Sequence, residues 1–462
     1  MYDTYHEFLR RKRFVAESAG FDPDLPINTQ LFDFQRDIVR WALRKGRAAI
    51  WADCGLGKTP MALEWCRHVN EHTGGTLLIL TPLAVAAQFV REGKKFGVDV
   101  RQVRDDSEVC IGAVNVTNYE RLHRFDLEQF VGVVADESSI LKDYTSKTRN
   151  AIIDGFARTP YRLACTATPA PNDFVELGNH AEFLGVMTRT EMLSMFFVHD
   201  GGTTQDWRLK GHARWDFWRW LASWAAAIKS PADLGYDATR YLLPELRIRE
   251  TVVNSSCQPD QGMLFKLDAR TLSEQRDARR TSLGDRVAAA AEIVNREPHE
   301  PWLIWCDLNA ESEALTASIH GATQVTGSDA PEVKERLLHG FTAGDVRVLV
   351  SKPSIAGWGL NWHHCARVVF VGLSHSFEAY YQAIRRSWRF GQTRPVDCYI
   401  ITSSIEGAVV ANLKRKQEDA ETLAKELANH MSELTMAEIK ATGRTFDEYS
   451  PTTRMQAPQW LT

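Results

Sequence analysis

Short apolar runs recur along the chain, each bounded by turn or helix-starting residues. In the first half they fall at Ala48–Trp51, Thr76–Thr81, Ala113–Thr117, Val131–Ala135 and Tyr161–Cys165. In the second half they fall at Trp302–Cys306, Val346–Val350, Arg367–Val371 and Cys398–Ile401. A strand with one wet face alternates apolar and polar residues. A strand apolar on both faces belongs in a parallel sheet with helices on either side. Helix-patterned segments such as Pro60–Val69 and Pro331–Gly340 alternate with these runs. The pattern therefore predicts an α/β chain built twice over, as two tandem parallel-sheet lobes.

Between the halves the pattern changes. Residues 186–260 carry Trp207, Trp215, Trp218, Trp220 and Trp224 with few strand signals, and read as a helical insertion and connector. Pro244 and the run Asn254–Gly262 supply linker punctuation. The tryptophans suit either a platform on which bases stack or a buried core, and the area that aromatics bury favours the core. Beyond Ile405, the stripe Ala420, Leu423, Leu427, Met431 and Leu434 marks an amphipathic helix, expected to pack on the second lobe. The expected partition is an N-terminal helical segment 1–30, a first lobe 31–185, the Trp-rich insertion 186–260, a second lobe 261–430 and a C-terminal tail 431–462.

Composition narrows the function classes. At 462 residues the chain exceeds one ordinary core, and 44% hydrophobic with 25% charged residues is a globular balance. A formal net charge of -4 excludes a nonspecific polycation but leaves room for a local basic groove. None of the eight cysteines forms a Cys-x-x-Cys pair, so a zinc ribbon or disulfide framework is not indicated. His363 and His364 beside Cys365 lack matching ligand spacing elsewhere. The N-terminus lacks the apolar core of a signal peptide, and the longest apolar stretch, Thr76–Val90, is too broken to span a bilayer. The expected setting is cytoplasmic, nucleoid-associated in a bacterial host, with no membrane partner. Arg10–Arg13 is a short basic run that suits either a nucleic-acid contact or a solvated helix face.

The strongest chemical signal is Ala52-Asp-Cys-Gly-Leu-Gly-Lys-Thr59, between a predicted strand and a predicted helix. That is the context of a phosphate-binding loop. Glycines let the backbone curl so that its N–H groups, here of Gly55, Leu56 and Gly57, point at phosphate oxygens. The following helix adds the positive end of its dipole. Lys58 is placed to reach the β- and γ-phosphates of ATP, and Thr59 to hold Mg²⁺. Downstream, the apolar strand Val131–Ala135 ends in Asp136-Glu137. In this context Asp136 is the second Mg²⁺ residue and Glu137 orients and polarises the attacking water.

Further motifs carry a resemblance from about Leu31 to Lys416. They are Leu31-Phe-Asp-Phe-Gln35, Leu78-Ile-Leu-Thr-Pro-Leu83, Val116-Thr-Asn-Tyr-Glu120, Asp136-Glu-Ser-Ser139, Leu163-Ala-Cys-Thr-Ala-Thr-Pro169, Ala356-Gly-Trp-Gly-Leu-Asn361 and Gln382-Ala-Ile-Arg-Arg-Ser-Trp-Arg-Phe-Gly-Gln392. Together they resemble the Swi/Snf-type branch of superfamily 2 helicases. The resemblance implies two tandem RecA-like lobes with a helical insertion between them and a C-terminal helix. It implies Gln35 as the adenine-reading residue and Gly359 among the nucleotide contacts. It places Thr81, Pro82, Thr117 and Asn361 against a nucleic-acid backbone, and makes Thr166, Thr168 and Gln382 the coupling residues. Arg386 and Arg389 become the arginine fingers, with Arg385 as an extra. Planar guanidiniums suit charge that builds on γ-phosphate oxygens in the transition state.

There are departures. Ser139 and Trp388 each replace a His, Trp358 replaces a small residue, and Lys142 keeps a basic group close behind the acid box. The resemblance implies an ATP- and Mg²⁺-dependent motor of compact, phage- or bacterial-like type that tracks on DNA with low sequence specificity. Duplex DNA is favoured over single strands and RNA, and the sequence names no protein partner. The alternatives are a strand-separating DNA or RNA helicase and a nucleotide-gated clamp with little turnover.

Overall fold

The computed structural model describes residues 16, 18–82, 85–199, 207–253, 280–357, 360–373, 376–403 and 407–439. The first lobe runs α1 (Asp33–Lys45), β1 (Arg47–Ala52), α2 (Lys58–Thr73), β2 (Thr76–Thr81), α3 (Ala86–Phe96), β3 (Val100–Gln102), β4 (Val114–Asn118), β5 (Phe130–Asp136), α4 (Lys147–Gly155) and β6 (Tyr161–Cys165). It continues through α5 (Leu177–Leu184), α6 (Arg189–Phe196), β7 (Phe197–His199), β8 (Trp207–Leu209), α7 (Arg214–Ala222) and β9 (Ala225–Ile228). β3-β4-β2-β5-β6-β1-β9 form one seven-stranded sheet whose pairings are all parallel, while β7 and β8 make a separate antiparallel pair.

The second lobe comprises β10 (Leu246–Val253), α8 (Leu283–Asn295), β11 (Trp302–Cys306), α9 (Asn309–Ser318), β12 (Ala322–Val325), α10 (Pro331–Ala343), β13 (Val348–Ser351), α11 (Pro353–Ala356), β14 (Arg367–Val371), α12 (Phe377–Ile384) and β15 (Val396–Ser403). Its sheet has the order β10-β15-β14-β11-β13-β12, again all parallel. α13 (Gly407–Ile439) closes the described chain. Each sheet has an apolar core on both faces, which is why its strands read as unbroken hydrophobic runs.

The Trp-rich segment is not a helical connector. It divides between the lobes: β9 extends the first sheet beside β1, and β10 edges the second beside β15. Trp218, Trp220 and Trp224 are buried in the first lobe, as their area favours, and Trp215 alone of the proposed platform is exposed. Ala225–Ile228 is poor in β-branched residues, so its pairing with β1 overrides a weak local preference.

α13 also corrects the expectation. Leu427, Met431 and Leu434 pack on the first lobe, not the second, and the helix continues past residue 431 to Ile439, which is buried there too. His430 stacks on Trp218 with ring centroids 5.1 Å apart, and Glu438 pairs with Lys45 at 2.8 Å. Near the other end Lys414 pairs with Glu250 of β10 at 2.7 Å, so one helix holds both lobes. The side chains of Ala420 and Leu423 lie outside the described residues, as do Arg10–Arg13 and the linker run 254–262. Residues 18–30, expected to be helical, contain no helix; Ala19–Phe21 bond instead to the carbonyls of Leu43–Lys45 at the end of α1.

In the second lobe, Arg286 of α8 and Glu311 of α9 form a fully buried ion pair at 2.6 Å. Glu311 also accepts the N–H groups of Asp307 and Leu308, both at 2.9 Å, and so fixes the turn after β11. Removing one partner of such a pair strands the other charge. Glu311→Ala is expected to cost about 3–5 kcal/mol in urea unfolding. A loss below about 1 kcal/mol, the worth of a surface pair, would contradict this assignment.

Candidate nucleotide site at the interlobe cleft

The carboxyl ends of parallel strands all lie on one edge of a sheet, and ligands bind in the crevice beyond them. In the first lobe the order β2-β5-β6-β1 makes four such ends neighbours. β1 opens into the Ala52–Thr59 loop, β2 into Pro82, β5 into Glu137 and β6 into Thr166–Pro169. The motifs that are scattered in sequence therefore meet.

In the phosphate loop Gly55 and Gly57 take φ of 90° and 84°. At Gly57 a Cβ would stand 2.3 Å from Gln35 Nε2, so neither the dihedral nor the space admits a side chain. Gly57 caps the sixteen-residue α2, whose first N–H groups face the loop. Lys58 Nζ donates to the Ala52 carbonyl at 2.8 Å, and Thr59 follows in the first turn. Gln35 Nε2 donates to the Leu56 carbonyl at 2.8 Å while its Oε1 accepts from Phe32 N–H at 2.9 Å. The Leu31–Gln35 segment is thus tied to the loop itself. Beside it gather three rings that the sequence did not single out as a group. Tyr241 and Phe390 lie 4.8 Å apart between centroids, and Phe32 is 5.7 Å from Tyr241.

Asp136 ends β5 in register with Cys165 of β6 and is buried. Tyr119 Oη donates to its backbone carbonyl at 2.6 Å, pinning the strand end. Burial and then the neighbouring Glu137 push the Asp136 carboxyl up to about 8, against the pull of Lys58 and Arg386. Glu137 is the one non-glycine residue with positive φ, 53°, among the described residues, a conformation costing about 1–3 kcal/mol. Its Oε2 is buried with no hydrogen-bond partner among the described residues. A buried carboxyl that resists ionising, an unsatisfied carboxylate oxygen beside it and a hydroxyl at Thr59 form an oxygen donor set that fits Mg²⁺.

The second lobe supplies the cations. Gln382 lies on α12, with Arg385, Arg386 and Arg389 just beyond it. Arg386 donates to the Gln382 carbonyl at 2.9 Å, the Leu360 carbonyl at 3.0 Å and Gln382 Oε1 at 2.9 Å. Arg389 donates to the same Leu360 carbonyl at 2.9 Å, and burial, with Arg386 next to it, lowers its pKa. Arg385, the extra arginine, reaches across to Asp53 in the phosphate loop, and Tyr381 Oη donates to the same carboxylate at 2.7 Å. Burial opposes the charge of Arg385, but Asp53 and Tyr381 raise its pKa. Thr168 Oγ1 donates to Glu378 Oε1 at 3.3 Å, and Lys142 pairs with Glu378 Oε2. Thr166 accepts the N–H of Thr168 at 3.1 Å. Asp53, Tyr381 and Glu378 were not singled out from sequence, because their partners are hundreds of residues away.

Two backbone-contacting assignments need correction. The Thr81 and Thr117 side chains are buried, bonded to the carbonyls of Pro82 and Val103 at 3.1 and 2.8 Å. They shape the sheet edge and do not face the cleft. Pro82 does line it, a cavity of about 710 Å³ between the lobes that Glu137, Arg91, Arg121 and Lys334 also border. Asn361 is exposed and bonded to His363 at 2.9 Å; Gly359 and Trp358 lie outside the described residues. Beside the acid box Ser138, not Ser139, meets a histidine, His180 Nε2 at 3.1 Å, which burial pushes down to about 4 and so keeps neutral.

Residues 285–391, the core of the second lobe with its arginines, match the helicase conserved C-terminal domain. The chain is 25% identical over 225 residues to the ATP-dependent helicase FUN30 of Saccharomyces cerevisiae, 42% of this chain and 20% of that one. It is 21% identical over 486 residues to the SWI/SNF-related matrix-associated actin-dependent regulator of chromatin subfamily A-like protein 1 of Drosophila melanogaster, 94% of this chain and 61% of that one. By these relatives the chain is similar to the Swi/Snf-type superfamily 2 helicases. To the DNA annealing helicase and endonuclease ZRANB3 of Mus musculus the chain is 22% identical, over 86% of its own length and 41% of the relative's. It thus spans about three fifths or less of each of these relatives. A Sulfolobus solfataricus SWI2/SNF2 ATPase core solved with dsDNA aligns at 18% identity and TM-score 0.42, covering 91% of this chain and 99% of that one. Among the described residues, no helix is long and apolar enough to cross a membrane.

The raised Asp136 pKa has a sign that can be tested. Between the ordinary carboxylate value and about 8 the folded chain holds a proton that the unfolded chain has lost, so this group's contribution to stability falls as pH rises through that window. Mg²⁺ held by Asp136 would require its carboxylate, so affinity for Mg²⁺-nucleotide is expected to rise by up to about tenfold per pH unit below about 8, with up to one proton released. Calorimetry in buffers of different ionisation enthalpy reads that proton. Its absence at pH 7, with binding intact, would place the metal elsewhere.

Proposed function

We propose that the chain hydrolyses ATP between its lobes and uses the cycle to move along DNA, duplex in preference to single strands or RNA, with little sequence preference. The observation that carries the reading is electrostatic. Lys58 of the first lobe and Arg386 of the second both act on the buried Asp136 carboxyl, so the two lobes contribute to one charge centre. The phosphate loop and the start of α2 cradle the phosphates, and Lys58 exchanges the Ala52 carbonyl for a phosphate oxygen. Phe32, Tyr241 and Phe390 offer faces to the base, with Gln35 at its edge.

Thr59 and Asp136 would hold Mg²⁺, which neutralises charge on the phosphates. Glu137, with one free buried oxygen, orients a water for in-line attack on the γ-phosphorus. Arg386 and Arg389 stabilise the charge that gathers on the γ-phosphoryl oxygens. Because they come from the other lobe, turnover depends on the lobes meeting. The cavity between the lobes is lined by both signs, Arg91, Arg104, Arg121 and Lys334 beside Glu120, Glu332 and Glu335, and its cations would meet a nucleic-acid backbone, a contact with phosphate rather than bases.

The test is steady-state ATPase activity alone and with single-stranded DNA, duplex DNA or RNA. Duplex DNA is expected to stimulate most. Lys58→Ala should abolish turnover, and Arg389→Ala should reduce it by about 10³-fold or more. Stimulation by single strands or RNA alone would favour a strand-separating helicase, checked by displacement on a forked substrate. Nucleotide binding with no turnover on any of them would leave a nucleotide-gated clamp and overturn the motor.

A further inference from the structure

Helix α12 carries Gln382 and leads directly into the three arginines, so its placement decides where they stand. It meets the first lobe near both ends, and the charges at the two contacts are reversed. Near its C-terminal end the second lobe gives the base, Arg385, to the first lobe's acid, Asp53. In its first turn the second lobe gives the acid, Glu378, to the first lobe's base, Lys142. Glu378 is 5% exposed, and each of its oxygens has a partner from a different segment of the first lobe. Oε2 meets Lys142 and Oε1 accepts from Thr168 at 3.3 Å.

Both partners are fixed to the reaction centre. Lys142 ends the short helical turn that starts after Glu137, with its N–H on the Ser139 carbonyl at 3.1 Å and its own carbonyl held by Asn179 at 2.9 Å. Thr168 stands three residues past the end of β6, with its N–H on Thr166. On the other side Glu378 precedes Gln382 by four residues, one turn along the same face. Gln382 in turn holds Arg386. The acid box, the segment after β6 and the finger helix are thus joined through one carboxylate.

We propose that Glu378 is a positioning residue for the hydrolysis reaction, its carboxylate clamped by Lys142 and Thr168 so that α12 presents Gln382, Arg386 and Arg389 to the acid pair at a set distance. The bridge supplies an interlobe link beside Ser139, where the resemblance leads one to expect a histidine. Reversed polarity at the two ends of the helix also fixes its register, since a slip of one turn would unpair both charges. The role rests on the ATPase reading above, but the bridge itself does not.

The variants are Glu378→Gln, Lys142→Met and the reversed pair Lys142→Glu with Glu378→Lys. Two readouts separate the bridge from the reaction. The first is amide exchange of residues 138–142 and 377–384, the two faces joined, in protein without nucleotide. Each single variant is expected to speed exchange there by about tenfold, with the overall melting transition retained. The second is the steady-state ATPase split, in which kcat falls by about tenfold while KM for ATP moves by less than about twofold. The reversed pair should recover most of both losses. Wild-type exchange and kcat in the single variants would overturn the proposal, as would a reversed pair no better than either single variant. If the wild-type chain turns over no ATP, the ATPase reading fails, while exchange still decides whether Glu378 clamps α12.

Discussion

The carboxyl of Asp136 is buried at the end of a strand, where a charge is costly. Asp136 sits between β2 and β6 with Glu137 beside it, and burial alone would keep it protonated. The cations that oppose this cannot come from its own strand. One comes from the loop after β1, two strands away, and one from the second lobe. Parallel pairing brings the first within reach, and docking of the lobes brings the second. The ion that the acid pair suits would complete the balance. The architecture thus gathers cations from distant segments around one buried acid pair.

The parts legible in the sequence were those with a local cause. The runs at Thr76–Thr81, Tyr161–Cys165, Trp302–Cys306 and Arg367–Val371 became strands with the same ends, because burial on both faces leaves a composition that can be read without knowing the partner strand. The loop at Asp53–Gly57 between a strand and a helix was legible because glycines, lysine and threonine stand together in one short stretch. Asp136 and Glu137 were legible only in the company of that loop.

What escaped reading had its cause elsewhere. Ala225–Ile228 is a strand because β1 has a free side, not because alanine prefers extended backbone. The stripe on α13 correctly announced an amphipathic helix, but periodicity says which face is buried and not against what. Thr81 and Thr117 sit in segments that approach the cleft, yet their strands are buried along their whole length and both hydroxyls bond to main-chain carbonyls. Asp53 and Arg385 are 332 positions apart and Lys142 and Glu378 are 236 apart, so neither charge looks unusual in its own neighbourhood. These pairs exist only through the meeting of two lobes.

The path of α13 bears on how the two lobes can move against each other. The chain passes from the first lobe to the second between β9 and β10, then returns along a helix anchored by Lys414 on one body and by Met431 and Glu438 on the other. Two bodies joined by a single tether can tumble about it in any direction. Joined at two separate places, they are steered toward rotation about the line through both, as a door turns on a pair of pins. Opening then becomes a swing along one arc, and each closure returns the same groups to the same places.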